Sequence, residues 1–271
     1  IGLCLVGSEM CIRDRLRRGL RGLRIWRAVI TLLVLLWWDA QDWTYRGGPT
    51  PERREARQRL RARWLKSELL RLGSAFIKLG QLLSARPDIL PAGWVGELAA
   101  LQDCVPAFGF DRVQSVLEEE LVQRCAEVMD LDPEPLAAAS LAQVHRASLR
   151  SGRQVVLKVQ RPGLDALFRL DLEVMQEVAG VLQRHPSWGR GRDWPAMARE
   201  CRRVLLRELD FRVEAQYAAR FRQQFLEDEN IRIPGVVWEL STRRVLCLDY
   251  LPGIKVNDRA ALVEAGIDPA A

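Results

Sequence analysis

The chain has 271 residues, of which 48% are hydrophobic, so it is long and apolar enough to form one large domain or two small ones. This composition excludes an intrinsically disordered protein. Residues 13–27 contain seven arginines and one acid, Asp14, so this segment alone accounts for the formal net charge of +6. This charge is the only feature that would indicate a basic, helical nucleic-acid-binding protein. No helix-turn-helix, zinc-finger or RNA-recognition pattern accompanies the charge, so we do not expect nucleic acid as a partner.

The first residues do not look like natural protein sequence. Residues 5–14 are similar to the translated end of a sequencing adapter, and the chain does not begin with methionine. We therefore assign residues 1–15 to an adapter-derived artefact and leave them out of the fold prediction.

Residues 16–48 form a basic and then apolar leader. Residues 28–38 are apolar except for Thr31 and end in Trp37 and Trp38. They are too few to span a bilayer, which needs about 20 apolar residues. The leader fits either an anchor in the surface of an anionic membrane or a helix docked on the main domain. A signal peptide is the weakest interpretation, because the small-residue cleavage site is missing.

Residues 49–129 are predicted to be a helical extension, which the breaker cluster at residues 47–51 separates from the leader. The hydrophobic spacing predicts helices over residues 53–72, 73–85, 91–102 and 111–126, the last with Asp111 as its N-cap. In the second helix Lys78 and Gln81 lie three residues apart and share a face. Arg86-Pro87 is predicted to end that helix.

Residues 130–251 mix strands and helices. A first hairpin joins residues 141–149 to residues 154–160 through a Ser151-Gly152 turn. A helix follows to about Arg184, and residues 194–227 form one long helix or two. A second hairpin is predicted from two short apolar runs, at residues 236–240 and 244–251.

Lys158 is the residue of greatest interest in the first hairpin. It lies among valines in an apolar strand, so its ammonium must leave the strand or find a partner. A strand-turn-strand unit with one such lysine holds ATP phosphates in kinase small lobes. A snorkelling lysine at a sheet edge is the alternative.

The order of five motifs resembles the UbiB/AarF family of atypical kinase-like ATPases, from about Arg53 to Asp258. The motifs are FIKLGQLLSARPDILP (76–91), LQDCVP (101–106), AAASLAQVHRA (137–147), VLKVQRPG (156–163) and ELDFRVEA (208–215). The resemblance implies an α+β fold, with a protein-kinase-like small lobe at residues 130–251. It also implies that the extension packs over the nucleotide site and carries Lys78 and Gln81 there. ATP with Mg²⁺ is the implied cofactor.

The resemblance assigns the acidic residues to the lysines. Glu214 is the implied partner of Lys158, while Glu208 and Asp210 match the acidic pair that meets the lysine of the K-x-G-Q helix. If residues 208–214 form a regular helix, Asp210 and Glu214 share a face and Glu208 does not. We therefore predict that Glu208 serves Lys78 and Glu214 serves Lys158. A solvated acidic helix face is the alternative.

Two further segments are implied to contact the nucleotide. The alanine turn, residues 137–140, occupies the place of the kinase glycine-rich loop. Its β-carbons restrict the backbone conformations that glycine would allow. An ordinary turn of small residues is the alternative. Residues 248–251 would be the hinge beside adenine. The implied cofactor-binding residues are Ala137, Ala138, Ala139, Ser140, Lys158, Asp249 and Leu251.

Residues 252–271 read as the truncated start of a large lobe, because neither a catalytic-loop motif nor a D-F-G-like motif follows. The resemblance places the magnesium ligands and the catalytic aspartate further on, so we expect no metal ligands in this chain and no activity from it alone. The six scattered cysteines and two histidines favour free thiols in a reducing cytosol over a zinc site.

The sequence therefore predicts the N-terminal part of a UbiB-type kinase or ATPase. The resemblance implies support of ubiquinone or other prenyl-quinone metabolism, with a cytoplasmic, peripheral place on an anionic membrane and prenyl-quinone biosynthetic proteins as partners. The alternative is a non-catalytic module that binds nucleotide or lipid and regulates a biosynthetic complex.

Overall fold

The computed structural model describes residues 2–85, 87, 90–102, 106–186, 188–254, 256 and 258–268. The helices are α1 (Gly2–Asp39), α2 (Pro51–Leu72), α3 (Ser74–Ser84), α4 (Ala92–Ala99), α5 (Phe110–Leu121), α6 (Leu164–Arg184), α7 (Trp194–Arg207), α8 (Phe211–Gln224) and α9 (Arg259–Glu264). The strands are β1 (Val128–Met129), β2 (Ala137–Ala138), β3 (Ala142–Leu149), β4 (Gln154–Gln160) and β5 (Val245–Asp249).

The strands form one antiparallel sheet in the order β1-β3-β4-β5, with β2 also paired to β3. Strand β4 shows the expected alternation, because Val155, Leu157 and Val159 are buried in a core shared with α5. Lys158 therefore points to the other face of the sheet. It pairs with Leu246 of β5, and Leu246 packs there against α8.

A second core lies among α1, α2, α3, α4, α6 and α7. Its side chains include Phe76 and Ile77 of α3, Phe168 of α6 and Leu205 of α7. Phe76 and Ile77 are buried in this core, while Lys78 of the same helix keeps part of its side chain exposed. The helical extension is thus packed directly against the strand-bearing part of the chain.

The leader helix α1 is docked on the rest of the chain. Ile25 and Ala28 are buried in the helical core. Arg21 donates two hydrogen bonds to the Asp171 carboxylate, at 2.7 and 2.8 Å, and a third to the Leu72 carbonyl at the end of α2. Of the two main interpretations of the leader, the docked helix is therefore confirmed.

Helix α5 corrects the predicted position of its N-cap. The Gly109 carbonyl accepts the first helical bond, from Arg112, so Asp111 lies inside the first turn. The helix ends at Leu121 instead of residue 126, because Val122 takes a positive φ of 47° and a 3₁₀ turn follows over Val122–Glu127.

The second hairpin is formed only in part, since Val245–Asp249 is a strand and residues 236–240 are not. Val236 makes an isolated bridge to Leu248, and Trp238–Leu240 is a 3₁₀ turn. The Ser241 hydroxyl donates to the Val237 carbonyl at 2.8 Å and accepts from the Cys247 N–H at 3.2 Å. Two backbone hydrogen bonds, Val237 N–H to the Cys247 carbonyl and Asp249 N–H to the Gly235 carbonyl, both at 2.9 Å, flank the bridge. Beyond Val237 the 3₁₀ turn and the Ser241 bonds take the place of further strand pairing.

Other predictions differ in smaller ways. Helix α3 ends at Ser84, and Arg86 lies outside the described residues. The helix predicted over residues 91–102 is α4 followed by a 3₁₀ turn. Cys247 is buried, but Cys125 and Cys201 are only partly so; the other three cysteines lie outside the described side chains.

Candidate functional site

A cavity of about 500 Å³ lies between α3, β4, α7 and α8. This volume falls in the range typical of ligand sites. Its lining carries four cationic and three acidic side chains and suits a charged ligand. The lining residues are Lys78, Lys158, Arg203, Val204, Arg207, Glu208, Asp210, Val213, Glu214 and Tyr217.

The predicted ion pair between Lys158 and Glu214 is confirmed. The Lys158 ammonium donates to both Glu214 carboxylate oxygens at 2.7 Å and lies 4.9 Å from the centre of the Phe211 ring. The two side chains are 28% and 47% exposed, so the pair adds little stability. Its effect is to hold the ammonium at one point of the cavity wall.

Lys78 reaches the same cavity from the helical extension. Its ammonium lies 2.7 Å from a Glu208 carboxylate oxygen. The predicted division, with Glu208 on Lys78 and Glu214 on Lys158, is therefore confirmed. Two lysines from separate parts of the fold each meet their own carboxylate within one cavity.

The reasoning behind that division was wrong, because residues 208–214 are not one regular helix. Helix α7 ends at Arg207 and α8 begins at Phe211, with Asp210 as N-cap accepting from the Arg212 N–H at 3.1 Å. The Asp210 carboxylate also pairs with the Arg212 guanidinium at 2.7 Å. The hydrogen bond from Arg212 holds the pKa of Asp210 below its ordinary value. Asp210 thus lines the cavity while its charge is engaged by Arg212.

Gln81 does not line the cavity, although it lies three residues after Lys78. Its side-chain amide donates to the Leu101 carbonyl at 3.2 Å. Gln81 therefore ties α3 to the 3₁₀ turn that follows α4, and the two polar residues of the K-x-G-Q motif have different contacts.

The alanine turn and the hinge lie outside the cavity lining in this conformation. Ala137 and Ala138 pair with β3, and the Ala139 N–H donates to the Ala142 carbonyl at 2.8 Å, while Ser140 is buried. The Asp249 carboxylate pairs with Arg153 at 2.6 Å and accepts from the Gly235 N–H at 2.9 Å. Leu251 follows β5 and is exposed.

The sequence analysis missed four polar residues around the site. Buried Gln160 donates to the Leu209 carbonyl at 2.9 Å and so fixes the turn that carries Glu208. A signal was present, since Gln160 lies two residues after Lys158 and faces the same way. Arg203, Arg207 and Tyr217 also line the cavity. Tyr217 lies three residues after Glu214 on α8, a spacing that places both on one helix face.

The described residues contain no group of three histidine, cysteine, aspartate or glutamate side chains able to hold a metal ion. Within the same part of the chain, no helix is long and apolar enough to cross a membrane.

An antiparallel sheet with α8 packed on one face, preceded by a helical extension, defines an α+β protein with a kinase-like small lobe. Residues 100–271, more than half of the chain, match the ABC1 atypical kinase-like domain. The chain belongs to this family, which confirms the resemblance to UbiB/AarF proteins. A structure of Rv3197 from Mycobacterium tuberculosis in complex with erythromycin matches with a TM-score of 0.51 and 29% identity, covering 72% of this chain and 48% of that one.

Several curated proteins are similar in sequence. Protein ACTIVITY OF BC1 COMPLEX KINASE 8, chloroplastic, of Arabidopsis thaliana is 44% identical over 92% of this chain and 33% of its own length. A probable protein kinase UbiB of Marinobacter nauticus is 36% identical over 75% of this chain and 38% of its own. An uncharacterized protein of Synechocystis is 45% identical over 92% of this chain and 43% of its own. The chain thus spans less than half the length of these relatives.

Proposed function

We propose that this cavity binds the phosphates of ATP and that the whole protein is a UbiB-type atypical kinase or ATPase. The observation that carries the proposal is the meeting of Lys78 and Lys158 in one cavity, each 2.7 Å from its own glutamate. In kinase small lobes a strand lysine held by a helix glutamate contacts the α- and β-phosphates. Glu214 would orient Lys158 in this way.

The chemistry of the lining supports a polyanionic ligand. Four cations converge on the cavity, and Lys78 and Lys158 both keep part of their side chain exposed, so phosphate oxygens can reach them. The Mg²⁺ that accompanies ATP neutralises phosphate charge when bound.

We test nucleotide binding with equilibrium dialysis of labelled ATP in the millimolar range, because we expect weak binding from a chain that spans less than half the length of its relatives. Lys158→Ala removes a phosphate contact, so we expect at least a tenfold weaker Kd. Lys66→Ala is the matched control, because Lys66 lies on α2 and pairs with Glu97 away from the cavity. Equal affinity in Lys158→Ala and the original chain would rule out the assignment of the site.

Turnover is proposed for the whole protein, with this chain alone binding nucleotide weakly and not hydrolysing it. The two halves of this proposal are checked by measuring phosphate release from Mg-ATP by the chain and by the whole protein. Release by the chain above a Lys158→Ala control would show that the catalytic groups lie within these residues. A whole protein that binds ATP without turnover, with or without lipid, would favour the regulatory module.

We further propose a peripheral place on the cytoplasmic side of an anionic membrane, in support of prenyl-quinone metabolism and alongside its biosynthetic proteins. The quinone part rests on the family alone. The membrane part is supported by α1, which carries no acid from Leu16 to Trp38. Its exposed apolar side chains include Leu20, Leu23, Ile30, Val34 and Trp37, whose spacing places them on one helix face.

Vesicle sedimentation tests this membrane proposal. Removing the leader by starting the chain at Pro49 instead of Leu16 would also uncover the core that Ile25 and Ala28 fill, so point substitutions are cleaner. Each arginine near an anionic surface is worth about 1 kcal/mol. We expect Arg18→Gln with Arg24→Gln to reduce sedimentation with phosphatidylglycerol vesicles, and Arg220→Gln on α8 to leave it unchanged. Identical or salt-insensitive binding of all three proteins would contradict the proposal.

A further inference from the structure

Arg207 differs from the other cations of the cavity in its partner. Lys78 pairs with Glu208, Lys158 with Glu214, and Arg203 with Glu200. Over the described ranges of the chain, Arg207 has no carboxylate oxygen within 4.0 Å of its guanidinium, and its hydrogen bond goes to the neutral Tyr217 hydroxyl. Its positive charge is therefore not cancelled by a neighbouring carboxylate.

The Arg207 side chain nevertheless has a defined position. It is the last residue of α7, and its guanidinium lies 5.3 Å from the centre of the Tyr217 ring on α8. Tyr217 offers both a hydroxyl acceptor and a ring face, so it orients the guanidinium without neutralising it. Arg207 and Tyr217 line the same cavity as Lys78 and Lys158.

A guanidinium carries five N–H donors in a planar fork, and Tyr217 occupies one of them. The remaining donors match the geometry of phosphate oxygens, which arginine binds in bidentate fashion. Both lysines already have carboxylate partners, which a phosphate must displace or share. Arg207 needs no such exchange and is therefore the cation most ready for an incoming oxyanion.

We propose that Arg207, positioned by Tyr217, binds a phosphate group of the ligand in this cavity. The inference rests on the proposed nucleotide site and deepens it. The phosphate belongs either to the polyphosphate tail of a nucleoside triphosphate or to a separate phosphate-bearing molecule beside it. Tyr217 is a positioning residue in this account.

The experiment measures the affinity of the chain for ATP, inorganic tripolyphosphate, inorganic phosphate and adenosine. We expect Arg207→Gln to weaken binding of ATP and tripolyphosphate about tenfold or more, with adenosine affinity unchanged. Tyr217→Phe removes the hydroxyl alone and should give a smaller loss. Arg220→Gln, which removes an exposed arginine of α8, is the matched control and should change nothing.

Two arms separate the sources of the phosphate. If ATP and tripolyphosphate compete and both depend on Arg207, the group belongs to the nucleotide tail. If inorganic phosphate binds in the presence of saturating ATP and that binding depends on Arg207, the group belongs to a second ligand. Either result supports a phosphate site at Arg207.

The inference fails if Arg207→Gln binds ATP, tripolyphosphate and phosphate as the original chain does, while Lys158→Ala still loses ATP. In that case the nucleotide site stands without Arg207. If the original chain binds none of the phosphate ligands at millimolar concentration, both proposals fall. Urea unfolding of Arg207→Gln checks that any loss of binding reflects the missing guanidinium and not a lost fold.

Discussion

Gly80, the glycine of the K-x-G-Q motif, has a packing role that the motif alone does not reveal. A β-carbon at this position would overlap the Leu101 side chain and lie 2.9 Å from the Cδ1 atom of Leu69. Leu101 is fully buried and Leu69 nearly so. Absence of a side chain at Gly80 therefore lets α3 lie close to α2 and to the turn after α4, and this packing helps to place Lys78 at the cavity.

We expect Gly80→Ala to lower the free energy of unfolding by about 1–3 kcal/mol, because the added methyl group overpacks the core. Gly180→Ala is the matched control. Gly180 lies inside α6 with no atom within 4 Å of its would-be β-carbon, so alanine should stabilise this helix by about 0.5–1 kcal/mol. Urea denaturation measures the free energy of unfolding of both variants, which we expect to change in opposite directions. An unchanged free energy of unfolding in Gly80→Ala would show that Leu101 moves aside freely.

Cys247 is expected to be unreactive in the folded chain. Burial in β5 raises the pKa of its thiol to about 12, so the nucleophilic thiolate is scarce at about pH 8. Iodoacetamide followed by mass spectrometry should modify Cys247 only after unfolding, with the less buried Cys125 as internal comparison. Alkylation of Cys247 in the native chain at the rate of a free thiol would contradict this account of β5.

At the scale of elements, the contact between α1 and α6 depends on a buried ion pair. The Asp171 side chain is fully buried and its partner Arg21 is 14% exposed. Burial raises the pKa of Asp171 while the hydrogen bond from Arg21 opposes that rise. Arg21 also donates to the Leu72 carbonyl, so one guanidinium joins three helices.

Asp171→Ala should therefore destabilise the chain by about 3 kcal/mol or more, because it leaves the Arg21 charge without its partner. Glu177→Ala is the control on the same helix, exposed and expected to stay within about 0.5 kcal/mol. The midpoint of urea unfolding measures the effect, and faster proteolysis of α1 should accompany it. Equal stability of the two variants would mean that apolar packing alone holds α1.

The elements also show what sequence reasoning can reach. The apolar run around Lys158 correctly predicted a strand in which the lysine needs a partner, since strand patterns are local in the sequence. The sequence allowed one helix or two over residues 194–227 but did not locate the break between α7 and α8, because residues 208–210 contain neither proline nor glycine. The only local signal was Asp210, whose role as N-cap depends on the chain turning there. The strand predicted at residues 236–240 pairs with β5 only around Val236, because Trp238–Leu240 forms a 3₁₀ turn that the Ser241 hydroxyl closes with a hydrogen bond to the Val237 carbonyl.

At the scale of the whole molecule, motif order was enough to identify the family and the α+β fold. It was not enough to define the cavity, because Arg207 and Tyr217 meet there only after α7 and α8 have packed. Gln81, in contrast, belongs to the K-x-G-Q motif and lies outside the cavity lining. Residues that meet only through tertiary packing show no recognisable spacing in the sequence. Conversely, two residues of one sequence motif can contact different parts of the fold.

The central claim is that Lys78 and Lys158 face the phosphates of bound ATP, and the chain offers a direct test because it contains only four lysines, Lys66, Lys78, Lys158 and Lys255. In an acyl-phosphate derivative of ATP, a lysine amine beside the phosphates attacks the acyl carbonyl, forms an amide and releases ATP. Mass spectrometry then identifies the modified lysine. We predict acylation of Lys158 and Lys78 that excess ATP prevents, with Lys66 unmodified. Acylation that ATP does not reduce, or that reaches Lys66 to the same extent, would contradict the claim.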